Sequence, residues 1–325
     1  MTTMLVLGGT SWVGGCIARE ALGRGHDVTC LARGESGQAP AGATFVRADR
    51  SAPGAYDAVA DRAWDLVVDL SRQPGQVRSA VAALGGRAGH WTFVSTGSVY
   101  ADQSGPLTES SPLLEPLEAD EATPEEYGHA KVACEQAVTT LPRHLVVRAG
   151  LIGGPGDRSD RLGYYVSRFA LAGDQDVLVP DVAHQPMQVI DVRDLAAWIV
   201  RSAERGATGI VHGAGSRTTV DELIAVSAEV SGFTGRRVVP VVDWLHEHGV
   251  QEWMGPRSLP LWLPASHHGM GRMDDARAIG WGLVRRPLDR TLADTLADER
   301  DRGLDRPRAA GLSRAEELQL LAELA

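Results

Sequence analysis

The segment Tyr127-Gly-His-Ala-Lys131 sets a phenol and an amine four residues apart, which on a helix is one turn and one face. An ammonium beside a phenol favours the phenolate and draws its pKa down from about 10 toward neutrality, where it exchanges a proton with an alcohol or carbonyl. Of the 32 Lys and Arg side chains in 325 residues, Lys131 is the one lysine. Five tyrosines offer five such i+4 positions, so chance places that lysine on one of them roughly once or twice in a hundred. Arginine is a poor substitute, because a broad guanidinium fork cannot serve a ribose hydroxyl and a phenol as a compact ammonium can. The hydroxyls of Ser95 and Thr96, at the end of a predicted strand, are available to complete an acid–base site.

A second constellation lies at the N-terminus. The apolar run Met4–Leu7 stops at Gly8-Gly-Thr-Ser-Trp-Val-Gly14, and a helical pattern follows from Val13 to Leu22. A glycine turn between strand and helix lets backbone approach a pyrophosphate while the helix N-terminus offers N–H donors. Gly8, Thr10, Ser11, Trp12, Val13 and Gly14 are the candidate cofactor contacts, with Ser11 standing where the usual pattern has its middle glycine. The second predicted strand ends Cys30-Leu-Ala-Arg33 and lacks the carboxylate that accepts from a ribose 2′-hydroxyl. Arg33 follows instead, which predicts NADP in preference to NAD.

The elements that must hold these residues alternate. Strands are predicted over 27–32, 44–46, 65–70, 91–94 and 144–148, with helices over 52–62, 76–84 and 125–140. Strands apolar on both faces, separated by helices, specify an α/β fold with a doubly wound parallel sheet. An acidic, proline-bearing loop spans 97–124. Beyond Gly150 the alternation weakens, so residues 1–155 form the expected dinucleotide-binding domain, with parts of 185–215 returning to it. Residues 156–325 form a smaller C-terminal substrate lobe ending in an amphipathic helix over 309–325, with Ser313 and Glu316 as a capping box.

Composition narrows the partners. A net charge of −10 with no basic cluster argues against nucleic acid. Three cysteines without a Cys-x-x-Cys spacing indicate neither a disulfide framework nor a thiolate metal site; Cys134, one turn after Lys131, reads as packing. No export signal and no run of 18 apolar residues is seen, so a cytoplasmic protein off the membrane is expected. His246-Glu-His248 and His267-His268 lack a spaced third ligand, so no metal is expected. Trp244, Trp253, Trp262 and Trp281 read mainly as the core of the lobe, with stacking on a substrate ring as the other reading.

Taken together, these segments resemble the extended short-chain dehydrogenase/reductases, the NAD-dependent epimerase/dehydratase family, over most of the chain. GGTSWVG at 8–14 is similar to the family's GGTGFIG, VRADR at 46–50 to the segment whose carboxylate, here Asp49, contacts adenine, and VVDLS at 67–71 to the strand meeting the cofactor. FVSTGSVYA at 93–101 resembles the stretch carrying the catalytic hydroxyl, which falls on Thr96. VVRAGLIGGPG at 146–156 resembles the segment beside the nicotinamide, and MQVIDVRDLA at 187–196 the entry to the substrate lobe. The resemblance implies a Rossmann fold and cofactor contacts that include Arg50, Leu70, Ser71 and Leu151. It implies Thr96, Tyr127 and Lys131 as catalytic residues, substrate contacts at Ser98, Tyr164, Tyr165 and Gln188, and a homodimer paired through the Tyr127 helix.

Two departures direct the functional reading. Gly97-Ser98 replaces the Asp-Glu pair of the family's dehydratases, and Ala32-Arg33 removes the acidic anchor usual in its NAD-retaining epimerases. The expected activity is NAD(P)-dependent hydride transfer to or from a carbonyl or alcohol of a sugar-like or polyol-like molecule. A redox-neutral nucleotide-sugar epimerase is the alternative, and an NAD(P)-sensing or RNA-associated binding protein the alternative from another class.

Overall fold

The apolar runs of the N-terminal half become buried strands of one parallel sheet. In the computed structural model, which describes residues 2–324, the chain runs β1 (Thr3–Leu7), α1 (Trp12–Gly23), β2 (Asp27–Ala32), β3 (Thr44–Arg47), α2 (Asp57–Ala60), β4 (Trp64–Asp69), α3 (Pro74–Leu84), β5 (Ala88–Thr96), α4 (Tyr127–Thr139) and β6 (His144–Ala149). It continues through β7 (Leu151–Gly153), α5 (Arg161–Ala172), β8 (Val177–Leu178), β9 (Pro186–Asp191), α6 (Val192–Glu204), β10 (Gly209–Gly213), β11 (Ser216–Thr219) and α7 (Val220–Ser231). The last third adds β12 (Arg237–Val238), α8 (Val242–Glu247), β13 (Gln251–Trp253), β14 (Ser258–Pro260), α9 (Ala276–Gly280), α10 (Leu288–Arg302) and α11 (Arg314–Glu323).

Seven strands pair in the order β10-β6-β5-β4-β1-β2-β3, all parallel, so the order reverses between β1 and β4. That reversal opens a crevice at the carboxyl ends of the strands, where ligands of doubly wound sheets bind. The two-residue period of a strand divides β1 between two cores. Met4 and Val6 pack with Ile17 and Ala18 of α1 and Trp198 and Ile199 of α6. Leu5 and Leu7 pack with Val77 and Leu84 of α3 and Cys134 and Val138 of α4. Within 186–213, α6 covers the sheet beside α1 and β10 becomes its edge strand, while β9 pairs with β7 and β11 in a separate three-stranded sheet.

The second lobe has its own core, built by α5, α7, α10 and α11. It is fastened to the long loop after β5: Leu107 bridges to Met273, its N–H donating to Arg272 O at 3.1 Å while Asp274 N–H donates to Leu107 O at 2.8 Å. The capping box of Ser313 and Glu316 is present, and α11 starts there; the helix expected from 309 cannot, because Gly311 has φ +114°. Ala325 lies outside the described residues. The helix expected over 52–62 contracts to α2, since Gly54 at φ +72° breaks its first turns. Among the described residues no helix is long and apolar enough to cross a membrane.

Candidate active site

Close approach of backbone to backbone dictates the glycine turn. A Cβ on Gly14 would stand 2.3 Å from Gly8 O, and one on Gly9 would stand 2.5 Å from Cys30 Sγ. Gly8 itself has φ +96°. Ser11 needs no such freedom, being extended at φ −70° and ψ 162° as the N-cap of α1. Its hydroxyl donates to Gly8 O at 2.8 Å and accepts from Gly14 N–H at 3.2 Å. A serine therefore serves where the middle glycine is usual, because its side chain folds into the turn. Trp12 Nε1 donates to Pro155 O at 2.9 Å, tying the turn to the exit of β7, while Val13 packs against the core.

The turn opens on a groove of about 160 Å³ lined by Gly8, Thr10, Ser11, Arg33, Leu70 and Ser71, among others. Such a glycine cradle at a helix N-terminus and a strand-order reversal fits a dinucleotide. At the far end Arg33 is 57 % exposed and lies 3.3 Å from Glu35, which also lines the groove. Asp49 is exposed and accepts from Ser51 N–H at 3.0 Å. Arg50, expected to touch cofactor, also lines the groove, and its guanidinium is anchored in the wall. It donates to both oxygens of buried Asp69 at 2.7 and 2.8 Å, to Tyr56 Oη at 3.0 Å and to Gln76 O at 2.9 Å.

Lys131, only 2 % exposed, is joined to the groove through Ser71, one of its lining residues. Its Nζ donates to Ser71 O at 2.9 Å and Val94 O at 2.6 Å, at the ends of β4 and β5, and lies 3.9 Å from the Phe93 ring centroid. An ammonium has three N–H donors, so one is left for a ligand. Burial pulls the Lys131 amine down to about 8.

Tyr127 stands at the N-terminus of α4, near enough to the Thr96 hydroxyl for that group to act on its phenol. Thr96 Oγ1 also accepts from Ser98 N–H at 3.1 Å and donates to Ser98 Oγ at 3.2 Å. The pKa expectation for Tyr127 is corrected here. Burial pushes the phenol above its ordinary value; the Thr96 hydroxyl, then the charges of Arg161 and Arg72, draw it back only in part. Ser95 faces the other way, donating to buried Glu135, which pairs with Arg148 at 2.7 Å. Arg148 donates in turn to Tyr100 Oη at 3.0 Å, and Tyr100 to His212 Nε2, whose Nδ1 donates to Asp274 O at 2.8 Å. This buried chain clamps β5, α4, β6 and β10 beneath the site.

Beyond Tyr127 lies a cavity of about 770 Å³, lined by Ser98, Tyr127, His129, His246, Glu252 and Trp253, among others. Three residues expected here are elsewhere. Tyr164 and Tyr165 are fully buried in the lobe core, Tyr165 Oη donating to Pro260 O at 3.0 Å. Gln188 is equally buried, its amide spent on Met273 N–H and O and on Gly215 O. Leu151 also packs in the lobe core. Of the tryptophans, Trp253 reaches the cavity, Trp262 is buried under His246, Trp244 stacks on His248 and Trp281 packs against the sheet core. His246 faces Glu252 at 3.3 Å, and among the described residues no three His, Cys, Asp or Glu side chains converge as a metal site. Arg161 and His129 were not anticipated from the sequence; His129 lies inside the Tyr127–Lys131 segment, whereas nothing local marks Arg161.

Comparison with known proteins gives concordant results. The model of the NAD dependent epimerase/dehydratase family matches residues 4–214. No curated protein sequence matches significantly. Among solved structures, Bordetella bronchiseptica WbmH in complex with NAD+ superposes with TM-score 0.67 at 19% identity, over 93% of this chain and 99% of that one. The UDP-glucuronic acid 4-epimerase of Bacillus cereus in complex with NAD gives TM-score 0.67 at 14% identity, over 92% and 99%. The UDP-glucose 4-epimerase of Thermotoga maritima with UDP-glucose gives 0.67 at 16%, over 93% and 99%. At such identities the likeness shows the fold.

Proposed function

The chain belongs to the NAD dependent epimerase/dehydratase family, and from that premise we propose that it is an NAD(P)-dependent oxidoreductase acting on a carbonyl or alcohol of a sugar-like or polyol-like molecule. The observation that carries this reading is the placement of the one lysine, buried with its ammonium bonded to the backbone of Ser71, which lines the glycine groove, one helical turn from Tyr127, which lines the cavity. A bound nicotinamide dinucleotide supplies hydride exchange with a substrate carbon. Gly8, Gly9 and Gly14 keep the cradle open to the pyrophosphate, and the free N–H of Lys131 reaches a ribose hydroxyl. Tyr127 Oη gives or takes the proton at the substrate oxygen, with Thr96 orienting that oxygen. Exposed Arg33, with no carboxylate on Ala32, supports NADP. A homodimer and a cytoplasmic location belong to the same proposal.

Glu35 favours a second reading, since it restores a carboxylate to the groove beside Arg33. On that reading the protein holds NAD and epimerises without net redox change. Nucleotide analysis of the purified protein separates the two. NADPH oxidation by added aldoses, ketoses or other carbonyl compounds, with no stoichiometric nucleotide carried through purification, supports the reductase. Retained NAD with no demand for added cofactor supports the epimerase, and tight cofactor binding with no turnover on any carbonyl or alcohol overturns the enzymatic proposal.

A further inference from the structure

Resting on that reading, we infer that the substrate cleft takes an unphosphorylated, hydroxyl-bearing molecule of neutral or positive charge, and excludes nucleoside diphosphate derivatives. Among the described residues lining the 770 Å³ cavity there is neither lysine nor arginine, while two carboxylates, Glu125 and Glu252, face it. A diphosphate carried into a partly closed site needs cations or a helix N-terminus to replace the water it loses. The helix N-terminus at the cavity, the first turn of α4, has Glu125 beside it, so a diphosphate would meet like charge there. Arg161 is not among the lining residues: its Cζ lies 4.6 Å from the Trp253 ring centroid and its Nε donates to Ser159 Oγ at 3.1 Å. Its charge also acts on Tyr127, at the reacting end of the cleft.

What the cavity offers suits a polyol or amino-polyol. Trp253 supplies an indole wall for the C–H face of a ring, and it is held at φ +66°, a conformation a bulky side chain keeps only under constraint from its surroundings. Ser98, Gln103, Gln251 and His267 supply hydrogen-bonding groups, and Glu252, shared with His246 at 3.3 Å, accepts from a hydroxyl or ammonium. The volume lies within the range of small-molecule sites.

Calorimetric titration of the NADP-loaded protein tests this with two probes, glucosamine and UDP-glucose. Saturable glucosamine binding is expected, weakened about tenfold or more in Glu252→Gln and in Trp253→Ala, with UDP-glucose failing to saturate at millimolar concentration. Glu252→Arg is expected to strengthen UDP-glucose binding about tenfold. Tighter wild-type binding of UDP-glucose than of glucosamine overturns the inference. So does glucosamine binding that is absent, or indifferent to both Glu252→Gln and Trp253→Ala. Neither probe needs to turn over, so this outcome is independent of whether Tyr127 moves a proton.

Discussion

A single titration reports on the heart of the site, because the chain has one lysine. Lys131 has exchanged water for two carbonyls at 2.9 and 2.6 Å and the face of Phe93, and the balance leaves its pKa at about 8 instead of 10.5. That difference disfavours the folded, charged form by about 3 kcal/mol. The folded value lies below the unfolded one, so between pH 8 and 10.5 the unfolded chain binds the extra proton. The contribution of Lys131 to stability therefore rises with pH across that window and sits at its constant minimum below pH 8. Lys131→Met removes the penalty and deprives two carbonyls of a donor at about 1 kcal/mol each, for a net gain of about 1 kcal/mol at neutral pH. Protein labelled with 13C at lysine Cε gives one side-chain resonance, whose midpoint without cofactor is expected at about 8. A midpoint at about 10, the ordinary lysine value, or a Lys131→Met protein destabilised by more than about 2 kcal/mol in denaturant titration, refutes the reasoning.

Other perturbations reach different parts of the site. Arg161→Gln removes a charge that draws the Tyr127 pKa down, so the limb of the pH–rate profile belonging to the phenol moves to higher pH; an unmoved limb contradicts the coupling. Gly14→Ala drives a methyl to within 2.3 Å of Gly8 O, and should cost about 1–3 kcal/mol in stability and about tenfold in NADP affinity. Ser11→Gly, by contrast, should bind NADP within a few-fold of wild type, and a larger loss in fluorescence titration would show that the serine does more than cap. Glu135→Gln leaves buried Arg148 without its counter-charge, at about 3–5 kcal/mol. A cost below about 1 kcal/mol would mean the buried chain beneath the site is not structural.

The elements that carry the candidate catalytic residues and the glycine turn were legible because their signals are local. Tyr127 and Lys131 share a helix turn, and the cradle from Gly8 to Gly14 sits in one strand–turn–helix whose geometry follows from backbone sterics. Even the irregular Ser11 is local in origin, a cap hydroxyl in place of a glycine. The cavity was not legible, because its wall is assembled from stretches far apart: Ser98 and Gln103 after β5, Trp253 on β13, and Met270 before α9. Tyr164 and Tyr165 show why composition misleads there. An aromatic pair on α5 fits a cleft or a core equally well by sequence, and only the packing of α10, α11 and β14 assigns it to the core. Spacing likewise does not show what holds Arg50 at the groove: Asp69, nineteen residues on, takes both arms of its fork. The direction of the Tyr127 shift was also out of reach of spacing alone, since it depends on burial.

The role given to Tyr127 is tested most directly by the turnover of Tyr127→Phe, on whichever carbonyl or alcohol the wild-type protein converts, with NADP affinity measured on the same preparation. Loss of the hydroxyl is expected to lower turnover by at least about a hundredfold while the dissociation constant for NADP stays within a few-fold of wild type. Near-normal turnover in that variant would contradict it.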